Sequence, residues 1–126
     1  MALLELKNIT KTYTGEVSVE VLKQIDLKVP AGEFISIMGT SGSGKTTMLN
    51  LVATLDQPTS GSVIINGAQP LTLPKQQLAE FRRRQLGFVF QNYNLLSPLN
   101  VAENVMLPLT LDRVPVDEMK RRCEAL

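Results

Sequence analysis

Phe34-Ile35-Ser36-Ile37-Met38-Gly39-Thr40-Ser41-Gly42-Ser43-Gly44-Lys45-Thr46-Thr47-Met48-Leu49-Asn50-Leu51-Val52-Ala53 is the stretch that decides the fold. Its centre, Gly39 to Thr46, fits G-x-x-x-x-G-K-[ST], the loop that wraps nucleotide phosphates. Glycines let the backbone take positive φ, so successive N–H groups can turn inward toward an anion. Lys45 supplies a mobile point charge for the β- and γ-phosphates, and Thr46 a hydroxyl for Mg²⁺. The apolar run Phe34–Met38 reads as a buried strand, and Thr47 to Ala53 as a helix whose N-terminus faces the phosphates. Strand, glycine loop, helix is the order this chemistry requires. Chance would produce the octapeptide pattern in about half a percent of chains this long, and the flanking segments lower that further.

Working outward, Leu4, Leu6 and Asn8 alternate with Glu5, Lys7 and Ile9 as a weak strand. Ile25, Leu27 and Val29 alternate with Asp26 and Lys28 as a clearer one, closed by Pro30-Ala31-Gly32. Asp56-Gln57-Pro58-Thr59-Ser60-Gly61 is turn-rich. Ser62–Ile65 reads as a strand ended by the turn dipeptide Asn66-Gly67. Lys75 to Arg84 predicts a helix begun by Pro74, with Leu78 and Phe81 on one face. Arg82-Arg83-Arg84 reads as the solvated, cation-suited end of that helix rather than a nucleic-acid patch. Leu86–Phe90 is a further buried strand. Asn100 followed by Glu103 predicts a capping box opening a short helix that stops before Pro108. Asp117 to Leu126 reads as a last helix, with Cys123 sharing a face with Met119 and Leu126.

The 126 residues amount to one domain or part of one, and 44% hydrophobic content supports a core. A net charge of +1 carries no nucleic-acid footprint. One cysteine excludes an internal disulfide, and the absence of histidine excludes imidazole catalysis and histidine metal sites. Neither a secretory leader nor a run of about 18 apolar residues is present, so the expectation is a cytoplasmic protein that meets a membrane only through a partner.

Several pieces together resemble the nucleotide-binding domain of ABC transporters, over nearly the whole chain. They are Val21-Leu22-Lys23-Gln24-Ile25-Asp26-Leu27, Pro30-Ala31-Gly32-Glu33, the phosphate loop, the Pro58-Thr59-Ser60-Gly61 turn, and Gly87-Phe88-Val89-Phe90-Gln91. The resemblance implies an α/β fold: a P-loop core sheet, an antiparallel β edge subdomain and the start of a helical subdomain. It implies ATP and Mg²⁺ as ligands. Gly39, Thr40, Ser41, Gly42, Ser43, Gly44, Lys45, Thr46 and Thr47 would hold the phosphates, and Tyr13 would stack on adenine. Thr46 and Gln91 would hold Mg²⁺, with Lys45 and Gln91 as the catalytic residues present. The family's partners are a transmembrane permease, which the loop after Gln91 touches, and a second nucleotide-binding domain; it acts on the inner face of the plasma membrane. Phe81 to Leu96 looks like the branch of macrolide exporters, lipoprotein-release ATPases and bacitracin-type antimicrobial-peptide transporters, the last above all.

Nothing here matches the family's Leu-Ser-Gly-Gly-Gln signature, its Walker B Asp-Glu or its switch histidine. The expectation is therefore that residues 1–126 are a partial domain, about its first half, with little or no hydrolysis alone. Two other readings stand beside the transporter one. A P-loop kinase explains Lys45 and Thr46 but not Tyr13, the Pro-Thr-Ser-Gly turn or Gln91. A non-catalytic nucleotide-binding or interaction fragment explains the missing motifs.

Overall fold

A computed structural model describes residues 1–126, which divide into two compact units, Met1–Leu86 and Gly87–Leu126. In the first unit, β1 (Ala2–Tyr13), β2 (Val19–Pro30) and β3 (Ser60–Ile65) form an antiparallel sheet in the order β2-β1-β3. Helices α1 (Lys45–Val52) and α2 (Lys75–Gln85) complete it, with a 3₁₀ turn at Pro70–Thr72. The second unit holds α3 (Val101–Leu111) and α4 (Val116–Glu124).

The core of the first unit is Leu6, Ile9, Leu22, Leu51, Val63 and Ile65, with Met48, Val52, Phe81 and Leu86 packed against it. Strict alternation along β1 would put Leu6 and Ile9 on opposite faces, and the expected pattern did so. Both are buried. Asn8 takes φ 49°, and the register slips between Leu6 and Ile9 against β2 and between Lys7 and Thr10 against β3. This bulge adds a residue and restores Ile9 to the core face. The Asp26 carboxylate accepts the Asn8 N–H at 2.8 Å, satisfying a donor that the bulge leaves out of the ladder.

The Asn66-Gly67 turn forms as expected. Both residues have positive φ (49° and 77°), and Ile65 and Ala68 exchange backbone hydrogen bonds of 2.8 and 3.0 Å. Such a tight two-residue reversal suits the right-handed strand twist. The capping box forms too. The Glu103 N–H donates to Asn100 Oδ1 at 2.9 Å, and the Asn100 N–H donates to Glu103 Oε2 at 2.8 Å.

Other expectations change. Helix α3 runs through Pro108 to Leu111. Proline removes only one donor, and the next turn closes normally, with the Asp112 N–H on the Pro108 carbonyl at 3.1 Å. Arg82 is not a freely solvated helix end, because its Nη1 donates to the Thr54 carbonyl at 3.1 Å, joining α2 to the end of α1. Arg84 pairs with Glu80 at 2.7 Å. Helix α4 ends at Glu124 rather than Leu126; Met119 is buried and Cys123 half-buried, but Leu126, beyond the helix, is 97% exposed, so that apolar face stops at Cys123. Finally, Phe34–Met38 and Leu86–Phe90 join no sheet. A strand exists through its ladder, and β1, β2 and β3 pair only with one another. Phe34 and Val89 are each 97% exposed.

Candidate functional site

The phosphate loop is built where Gly42 and Gly44 take φ of 77° and 96°, and the Ser43 N–H donates to the Thr40 carbonyl at 3.2 Å. Side chains rarely adopt such φ values, so the glycines shape the turn. Gly44 also lies against β2: a Cβ there would sit 3.0 Å from Leu22 and 3.1 Å from Val21. Helix α1 starts directly after it. Its N-cap is Gly44, which has no side chain to cap the first-turn N–H groups, and such N–H groups suit an anion.

Val21, Ser41, Gly42, Gly44, Lys45, Thr46 and Thr47 line a concave pocket of about 590 Å³ at this helix start. The Lys45 ammonium spans the loop, donating to the carbonyls of Gly39 at 2.8 Å and Thr40 at 2.6 Å and to Ser43 Oγ at 3.3 Å. Gly39, Thr40 and Ser43 thus reach the site through Lys45 rather than as pocket wall. A phosphate entering this pocket would exchange for those oxygens as the partner of Nζ. The glycine turn, the uncapped helix start and the ammonium all suit a polyphosphate. The exposed Thr46, one residue inside the helix, offers a hydroxyl suited to a hard cation on that phosphate.

Tyr13 lies at the end of β1, 44% exposed and outside that pocket. Its ring rests on a cluster that sequence reading missed. Lys11 Nζ stands 4.9 Å from the ring centroid and also 2.9 Å from Asp56, and the Tyr13 hydroxyl donates to Asp56 Oδ2 at 3.3 Å. Lys11 and Tyr13, two apart on a strand, share a face; that much was legible. Asp56 arrives from 45 residues away and had no local signal. Gln91 is in an exposed turn of the second unit. In that unit Phe88, Phe90, Tyr93, Leu96, Val105 and Pro108 are among the walls of an apolar groove of about 570 Å³.

The Lys11 ammonium's hydrogen bond, above all, holds the Asp56 carboxyl below its ordinary value of 3.8; burial opposes this, while the Gln57 N–H and the Tyr13 hydroxyl add to it. A carboxyl depressed on folding stabilises the fold above its unfolded value, and that contribution fades as pH falls through the folded one. In urea unfolding, the stability gap between the parent and Asp56→Asn should therefore persist from neutral pH to about pH 4 and shrink below it. A gap that widens in acid would contradict the ion pair.

Similarity to known proteins follows the same outline. The family model described as ABC transporter matches residues 22–126. An uncharacterized ABC transporter ATP-binding protein of Bacillus subtilis, YvcR, is 54% identical over 129 residues, covering 100% of this chain and 50% of its own. The bacitracin export ATP-binding protein BceA of Halalkalibacterium halodurans is 50% identical, covering 91% of this chain and 46% of its own. The dimeric post-hydrolysis structure of the ATP-binding cassette MJ0796 bound to ADP and Pi superposes with a TM-score of 0.89 at 44% identity, covering 97% of this chain and 54% of that one. The chain thus spans about half the length of the relatives it matches.

Proposed function

The chain belongs to the ABC transporter family, and on that premise we propose that it binds ATP with Mg²⁺ as part of the ATPase subunit of an export system. The observation that carries this is the phosphate loop: two positive-φ glycines set Lys45 and an uncapped helix start around one pocket.

Each residue has a role in this reading. The loop from Gly39 to Thr47 cradles the β- and γ-phosphates through backbone N–H groups, and Lys45 moves from its loop carbonyls onto phosphate oxygens. Tyr13 stacks on adenine. The Thr46 hydroxyl would hold Mg²⁺, which when bound neutralises charge on the phosphates, and Gln91 is the further Mg²⁺ ligand that the family resemblance implies. Hydrolysis in the whole protein is then a matter of positioning water and stabilising charge, to which Lys45 and Gln91 contribute.

The resemblance to BceA supports a peptide antibiotic as the exported substrate. Pairing of two ATP-binding domains is supported by the dimeric MJ0796 cassette. The apolar groove lined by residues on both sides of Gln91 supports contact between this unit and a permease, which would hold the protein at the inner face of the plasma membrane. No helix of this chain is long and apolar enough to cross a membrane.

Lys45→Ala tests the phosphate role. It removes a charge-assisted contact worth about 1.5–3 kcal/mol, so ATP affinity should fall about ten- to a hundredfold by calorimetry. Equal affinities for parent and variant would defeat the assignment.

A further inference from the structure

We propose that Lys11 and Asp56 are positioning residues for Tyr13, holding its ring as a one-sided platform whose free face takes the adenine base. The proposal rests on the ATP-binding reading and adds the part that fixes the base.

The geometry is that of a clamp. Lys11 is only 12% exposed, and its ammonium lies 4.9 Å from the ring centroid, where a cation is attracted to the ring's electron-rich face. The same ammonium donates to Asp56 Oδ1 at 2.9 Å and to the Gln57 carbonyl at 2.7 Å, and lies 2.9 Å from Asp56 Oδ2. With its donors so engaged, Lys11 is a strut for the ring and not a spare phosphate ligand. Asp56 Oδ2 accepts the phenol hydroxyl at 3.3 Å, fixing the far end of the ring. One face is thus taken by Lys11, while Tyr13 as a whole stays 44% exposed.

The connection bearing Asp56 is itself fastened to β1. The Thr59 N–H donates to the Thr10 carbonyl at 2.9 Å, the Thr12 N–H donates to Thr59 Oγ1 at 2.9 Å, and the Thr10 and Ser60 hydroxyls meet at 2.7 Å. The Asp56-Gln57-Pro58-Thr59-Ser60 stretch therefore carries a reason beyond turning the chain: it delivers a carboxylate to the ring. An exposed tyrosine without such partners would have to be immobilised at the moment the base stacks. Ordering one rotamer-rich side chain weakens binding by about two- to tenfold, which is what the clamp saves.

The test separates base from phosphate by titrating the 126-residue chain with ATP and with tripolyphosphate, which lacks a base. Lys11→Met and Asp56→Asn should each weaken ATP binding about two- to tenfold and leave tripolyphosphate binding unchanged. Lys11→Arg, which keeps a cation over the ring, should recover most of the loss. In a Tyr13→Leu background, Lys11→Met should have no further effect on ATP, because the two act through one ring. Unchanged ATP affinity in Lys11→Met overturns the proposal. So does an equal loss of tripolyphosphate affinity, or an undiminished effect of Lys11→Met beside Tyr13→Leu, either of which makes the pair a structural tie alone. A parent chain that binds neither ligand removes the nucleotide site itself, and the proposal with it.

Discussion

Gly61→Ala should destabilise the first unit by about 3–4 kcal/mol. Gly61 has φ 89°, and an added Cβ would lie 2.4 Å from the Asn8 carbonyl oxygen and 2.5 Å from that of Lys7. These are backbone atoms of the neighbouring strand and cannot swing aside like a side chain. The positive φ costs an alanine about 1–2 kcal/mol. Relieving the clash means opening about two ladder hydrogen bonds beside the Asn8 bulge, at about 1 kcal/mol each. Gly67 is the matched control. It too has positive φ (77°), but nothing lies within 4 Å of its added Cβ. Gly67→Ala should therefore show the strain alone. Urea midpoints should fall clearly further for Gly61→Ala, and coincident midpoints would show that the close strand approach contributes nothing.

Leu51→Ala should cost a further large sum, about 2–5 kcal/mol, the range for emptying a core leucine site. Leu51 is 0% exposed and belongs to the core with Leu6, Ile9, Leu22, Val63 and Ile65. It is also the buried residue of α1, whose N-terminal residues line the pocket at the glycine loop. Leu49, on the same helix, is 45% exposed, and Leu49→Ala should cost less than about 1 kcal/mol. Comparable losses for the two would mean that α1 is not held by the face described. Because Leu51 is not among the residues that line the pocket, folded Leu51→Ala protein at low temperature should keep most of its ATP affinity.

Sequence alone determined the features that neighbours along the chain complete. The phosphate loop needs only its glycines, Lys45 and the helix that follows. The capping box needs only Asn100 and Glu103, and the reversal after β3 needs only Asn66 and Gly67. In each, the hydrogen-bonding groups are within a few residues of one another, so composition and spacing suffice. Tertiary structure decided the rest. Whether Ile9 faces the core depends on a bulge set against two other strands, and a one-residue slip reverses every side chain beyond it. Whether Phe34–Met38 and Leu86–Phe90 become strands depends on a ladder partner, which hydrophobicity does not supply. Arg82 had the composition of a solvated helix end, and only the position of the Thr54 carbonyl made it a tie. The support beneath Tyr13 is the clearest case: Lys11 was within reach of a period-two reading, but Asp56 comes from 45 residues away, placed there by the pairing of β3 with β1.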